Sequence, residues 1–116
     1  MKIKSPSKPG AKKRMPPTPF QRFGEKYPRV MAAYSALGEA TQEAGPLDAK
    51  TRALVKLGIA TGCLREGAVH SHARRSLEAG ATPGEIRHAV LLATTTLGFP
   101  SMMAALTWVE DVLGKR

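Results

Sequence analysis

Apolar residues recur at helical spacing along most of this chain, and glycine or proline interrupts each run. Between these interruptions no segment alternates polar and apolar residues, which is the pattern of a half-buried strand. Glycine ends helices because it readily adopts the left-handed conformation, and proline ends them because it lacks a backbone N–H. The sequence therefore predicts an all-α fold, a single-domain bundle of about five to six helices.

Capping residues mark several of the predicted boundaries. Thr82 and Glu85 have the spacing of a capping box around Pro83, and Asp48 is placed to cap the helix that follows it. Gly80 is expected to stop the preceding helix in a left-handed conformation. The predicted helices cover residues 18–23, 28–44, 49–61, 64–79 and 83–97, and Gly62 is expected to break the third. A last helix is predicted to begin at residues 98–100. Its buried side is predicted to consist of Met103, Leu106, Val109, Val112 and Leu113.

The positive charge is concentrated at the start of the chain. Of the net charge of +9, residues 1–20 carry +6 and no acidic side chain. We expect residues 1–17 to be a disordered, basic, Pro-rich tail and residues 18–116 to be the helical domain. Such a tail could contact nucleic acid electrostatically, but a solvated leader without a partner is the favoured interpretation.

Cysteine usage and hydropathy bear on the compartment. Cys63 is the only cysteine, so no intrachain disulfide can form. The start of the chain has no apolar signal segment, and no apolar run is long enough to span a bilayer. The sequence predicts a cytoplasmic protein without membrane contact.

Two histidines, His70 and His72, lie on one predicted helix. Residues two apart point about 160° away from each other on a helix, so these two cannot bind one metal ion together. We find no other cluster that would complete such a site, and we predict neither metal nor cofactor. Glu66 and His70 are spaced for a local ion pair. His72 falls near Arg65 and Ser76, on the side of the helix that faces the core.

Four segments, in this order and spacing, carry a family resemblance. They are LDAKTRALV (residues 47–55), the histidine helix, EAGATPGEI (residues 78–86) and LGFP (residues 97–100). With them the chain resembles the carboxymuconolactone decarboxylase-like family, which includes the alkylhydroperoxidase D peroxidases. The resemblance implies an alkylhydroperoxidase D-like all-α bundle that assembles into homotrimers or hexamers, with active sites near subunit contacts.

The peroxidase branch of this family uses a glutamate, a Cys-x-x-Cys pair and a histidine. Aligning its histidine with His72 places the two cysteines at Arg65 and Ala68, and the glutamate at Ala53. A dithiol peroxidase needs a reactive thiolate and a second thiol that resolves it. Cys63 has no second thiol in the chain to resolve it. Thiol-dependent peroxidase activity through Cys63 is therefore the alternative and not the main hypothesis.

The lactone decarboxylase branch also lacks the cysteine pair and keeps the histidine. Its reaction is the cofactor-free loss of carbon dioxide from a carboxylated muconolactone, which needs a cation for the substrate and a proton donor. The resemblance implies that His72 is the catalytic residue, either as the acid that protonates the remaining carbon or as a donor that orients the substrate. We predict Glu66 and His70 as further catalytic candidates, and a small carboxylate held by Arg65, Arg52 and Ser76. A non-catalytic, ligand-binding oligomer remains a third possibility.

Overall fold

The computed structural model describes residues 16–114, and all regular structure in that range is helical. The predicted all-α fold is confirmed. Residues 1–15, most of the predicted tail, lie outside the described residues, whereas Pro16 and Pro17 are exposed and outside any helix. The elements are α1 (Pro19–Lys26), α2 (Pro28–Glu43), α3 (Ala49–Cys63), α4 (Glu66–Glu78), α5 (Pro83–Leu91), a 3₁₀ turn (Leu92–Thr95) and α6 (Phe99–Leu113).

The chain divides into two compact units at Ala44 and Gly45. In the first unit α1 packs against α2. Thr18 caps α1 in a capping box with Gln21, and the rings of Phe23 and Tyr27 lie 5.2 Å apart. Neither helix of this unit has a buried residue. The helix predicted over residues 28–44 is present as α2.

The second unit holds the hydrophobic core. Here α4 packs against both α3 and α6, and α5 packs against α6 and α3. Small and branched apolar side chains fill the space between these helices, which lets the helices approach closely. The buried apolar residues are Leu57, Ala60, Val69, Ala73, Ala81, Ile86, Val90, Met102, Ala105, Val109 and Leu113. Met103, expected on the buried side of α6, is instead exposed, and Met102 takes its place.

The predicted caps of the second unit are confirmed. Asp48 Oδ1 accepts a hydrogen bond from the Thr51 N–H at 2.9 Å. Thr82 and Glu85 form both hydrogen bonds of the capping box. Gly80 has a φ of 98° and follows α4, as expected of a glycine stop. These caps fix where α3 and α5 begin and where α4 ends.

Several predicted boundaries differ from the structure. The first helix continues to Lys26 beyond its predicted end at residue 23, and the histidine helix begins at Glu66 instead of residue 64. Two further differences have a local cause. Gly62 does not break α3, which continues through Cys63 and ends because Leu64 adopts the left-handed conformation, with a φ of 51°. The helix from Pro83 does not reach Leu97 but changes to a 3₁₀ turn after Leu91. The β-branched residues that follow explain this change, because they disfavour an α-helix, and the hydroxyl of Thr94 donates to the Leu91 carbonyl at 2.6 Å.

No helix within residues 16–114 has both the length and the apolar character needed to cross a bilayer.

Candidate functional site

His72 lies in α4, the helix at the centre of the second unit, and is partly buried. Burial lowers the pKa of His72 below its usual value of 6.5, because a charged imidazole loses contact with water. Arg75, one turn further along α4, and Lys56 on α3 lower the pKa of His72 further, because like charges repel. His72 is therefore a sheltered imidazole that favours the neutral form and has two cations nearby.

The three predicted substrate-binding residues have different surroundings. The Ser76 side chain is fully buried and donates to the backbone carbonyl of His72 at 2.7 Å. The Arg52 guanidinium donates to the Leu47 carbonyl at 2.6 Å. Arg65 is exposed and stands at the N-cap of α4, ahead of the helix proper. Ser76 is therefore linked to His72 through the backbone, while Arg52 is engaged at the start of α3.

Glu66, His70 and Asp111 meet at a second site on α4. His70 Nε2 lies 2.9 Å from Asp111 Oδ2 and 3.9 Å from Glu66 Oε2. One donor atom from each of the three residues lies within 4.8 Å of the other two. The expectation that no side-chain cluster forms around these histidines is therefore wrong. The cluster forms because α6 places Asp111 next to His70, although the two residues are 41 positions apart in the sequence.

A largely apolar cavity of about 570 Å³ lies between α3, α5 and the 3₁₀ turn. Its lining includes Leu54, Gly58, Thr61 and His88, but not His72. Thr61 is buried, and its hydroxyl has no hydrogen-bond partner among the described residues. The volume of the cavity is typical of small-ligand pockets, which combine apolar walls with a few polar groups.

Glu85 lines this cavity and forms an ion pair with Lys50. Lys50 Nζ lies 3.0 Å from Glu85 Oε2. The pKa of Glu85 is lowered, first by the hydrogen bond from the Thr82 backbone and then by the hydrogen bond from Lys50. Glu85 is therefore held as a carboxylate, with its helix cap on one side and a lysine of α3 on the other.

Sequence reasoning missed several of these neighbours. Arg75 follows His72 by three residues, so helical spacing alone could have indicated it. Lys56 and Asp111 come from other helices, and no local pattern indicates them. Cys63 is exposed at the end of α3, separated by Leu64 and Arg65 from the start of the histidine helix.

The helical bundle and the cysteine-free histidine helix define an all-α protein of the carboxymuconolactone decarboxylase fold. A model of the carboxymuconolactone decarboxylase family matches residues 28–111, and the chain belongs to that family. The structure is similar to the crystal structure of an apo carboxymuconolactone decarboxylase family protein from Legionella pneumophila. That similarity has a TM-score of 0.68 and 27% sequence identity, and covers 80% of this chain and 86% of the other.

A sequence relative comes from Haemophilus influenzae. The chain is 40% identical over 57 residues to an uncharacterised protein of that organism. The match covers 49% of this chain and spans half the length of the relative. This match shows that the two proteins share a similar segment, and it indicates no activity because the relative is uncharacterised.

Proposed function

We propose that this chain catalyses cofactor-independent proton transfer on a small carboxylated, lactone-type substrate, with loss of carbon dioxide, through His72. One observation carries the proposal. His72 is a half-buried imidazole whose neighbouring charges, Lys56 and Arg75, are both cations. In a member of the carboxymuconolactone decarboxylase family, this arrangement suits an anionic substrate placed beside a group that transfers protons.

Substrate charge would alter the protonation of His72. In the free protein, burial and the two cations favour the neutral imidazole. A bound carboxylate offsets the positive charge of Lys56 and Arg75, so the imidazole gains proton affinity when the substrate arrives. When the bond to the carboxylate carbon breaks, its electron pair stays on the remaining carbon and carbon dioxide leaves. His72 gives its proton to that carbon and recovers one from water.

We also propose which cations bind the substrate. Lys56 and Arg75 act on His72 electrostatically, whereas Arg65 and Arg52 are not among the charges that shift its pKa. We therefore propose Lys56 and Arg75 as the residues that attract the substrate carboxylate, in preference to Arg65 and Arg52. The buried Ser76 hydroxyl is bonded to the His72 carbonyl and is proposed to hold the helix backbone that carries the imidazole.

The test is the release of carbon dioxide from a carboxylated muconolactone, measured on the full chain. We expect His72→Gln to lower kcat about a hundredfold or more, which is the usual contribution of general acid–base catalysis. Lys56→Gln and Arg75→Gln should mainly raise KM. Arg74→Gln is the matched control, because Arg74 is exposed beside Arg75 but is not among the residues that influence His72.

Two results would contradict this proposal. One is unchanged turnover in His72→Gln. The other is rapid reduction of hydroperoxide with an external thiol that disappears in Cys63→Ser, because that outcome favours the peroxidase alternative.

A further inference from the structure

We propose that Glu66, His70 and Asp111 form a binding site for one divalent transition-metal ion. The site is separate from the one proposed around His72, because His70 and His72 point to different sides of α4. Its ligands would be the Nε2 atom of one imidazole and one oxygen from each of two carboxylates.

The distances within the cluster suit a shared ion. Ligand atoms that lie about 2.1 Å from a zinc ion are about 3.0–3.5 Å from one another, depending on the geometry. His70 Nε2 lies 2.9 Å from the Asp111 oxygen and 3.9 Å from the Glu66 oxygen. All three donor atoms are within 4.8 Å of one another. Small side-chain rotations would bring them to equal distances from one ion.

The backbone holds the three residues in register. Glu66 and His70 are one helical turn apart on α4, so both project from the same side of that helix. Asp111 lies on α6, which packs directly against α4. Val69, next to His70, and Val109, two residues before Asp111, are fully buried members of the core. The segments that carry these ligands are therefore anchored by close packing.

The three side chains differ in their exposure to solvent, and the exposed carboxylates would let a metal ion enter. The His70 side chain is 24% exposed, while those of Glu66 and Asp111 are 57% and 55% exposed. The imidazole is therefore held by its surroundings, and the two carboxylates are free to adjust. Three protein ligands on an accessible surface leave further coordination positions for water or another small molecule, as in catalytic zinc sites.

Charge also distinguishes a metal site from a simple ion pair. With a neutral imidazole the cluster carries two negative charges, although the chain as a whole carries +9. One protonated histidine compensates only one of the two carboxylates. A divalent ion compensates both and binds the neutral imidazole that histidine presents to metals. Nitrogen and carboxylate oxygen together are donors that zinc and its first-row neighbours accept.

The experiment is calorimetric titration of the EDTA-treated, dialysed full chain with Zn²⁺ at pH 7.5. We expect one equivalent per chain, and at least tenfold weaker binding in each of His70→Gln, Asp111→Asn and Glu66→Gln. His88→Gln is the matched control, because His88 is exposed on α5 outside the cluster, and this variant should bind as the wild type does.

Circular dichroism establishes that each variant is folded, and the two carboxylate variants carry the test if His70→Gln does not fold. Visible absorption of bound Co²⁺ gives a second readout, which should be lost in the same three variants. The proposal is overturned if the wild type binds no Zn²⁺, if folded cluster variants bind it as tightly, or if His88→Gln removes binding.

Discussion

At His72, burial and two neighbouring cations act in the same direction on one imidazole. Both lower the pKa of His72, because both penalise its charged form. The same helix presents Glu66 and His70 to Asp111, so α4 gives its two histidines opposite electrostatic surroundings, cationic at His72 and anionic at His70. At the scale of single residues, burial, Arg75 and Lys56 act on His72, whereas Glu66 and Asp111 surround His70.

The lowered pKa of His72 predicts a dependence of stability on pH. In the unfolded chain the imidazole titrates near its usual value of 6.5, whereas the folded protein takes up that proton only at lower pH. Between these two values the unfolded state binds more protons, so the free energy of unfolding falls as the pH falls. Urea unfolding at pH 7.5 and pH 5, with EDTA present, measures the effect. His72→Gln should lose less stability over this interval than the wild type, and an equal loss in both would contradict the assignment.

At the scale of the helices, local capping fixes most of the ends. Asp48 and Thr82 begin α3 and α5 through side-chain hydrogen bonds to nearby backbone N–H groups. Gly80 ends α4 with a positive φ, so that the Ala81 N–H bonds back to the Ser76 carbonyl at 2.9 Å. Leu64 takes the corresponding position after α3 at a steric cost that glycine would avoid.

Two glycine substitutions test this use of backbone conformation. Gly80→Ala should lower the free energy of unfolding by about 1–2 kcal/mol, because alanine is strained at a φ of 98°. Gly84→Ala is the matched control in the first turn of α5. A Cβ atom there meets only the Thr82 hydroxyl, at 3.8 Å, so we expect a gain of about 0.4–1 kcal/mol. Chemical denaturation measures both, and equal effects of the two substitutions would contradict this interpretation.

At the scale of the whole molecule, several large apolar side chains of the second unit remain in contact with water. Ile59 is 61% exposed, Leu92 is 63% exposed and Phe99 is 61% exposed. Soluble monomers seldom leave many such side chains uncovered, and extended apolar surfaces mark interfaces between proteins. We therefore propose that copies of this chain cover one another in the trimer or hexamer that the family resemblance implies.

This proposal predicts the mass of the protein in solution. Light scattering coupled to size-exclusion chromatography should give a trimer or hexamer for the wild type. Ile59→Glu should shift it to smaller species, because burying an unpaired carboxylate at an interface is unfavourable. Arg74→Glu introduces the same side chain at an exposed polar position of α4 and should leave the mass unchanged. A monomeric wild type would contradict the proposal.

The amino-acid sequence by itself determined the helices, their caps and the absence of a cysteine pair. Helical spacing and caps act within a few residues, so local sequence carries them: Thr82 reaches Glu85 and Asp48 reaches Thr51. Helical spacing also indicated that Glu66 lies near His70 and that Ser76 lies near His72, because each pair is four residues apart. Gly62 misled the prediction because one glycine in a helix costs only about 1 kcal/mol relative to alanine, and α3 continues through it to Cys63.

Only the tertiary structure decided which distant side chains meet. Asp111 reaches His70 across 41 residues, and Lys50 reaches Glu85 across 35. Lys56 influences His72 because α3 and α4 pack together. These pairings depend on how the helices pack around Leu57, Val69 and Val109 in the core. Helical periodicity defines the faces of each helix, but the fit of core side chains between helices decides which faces come together.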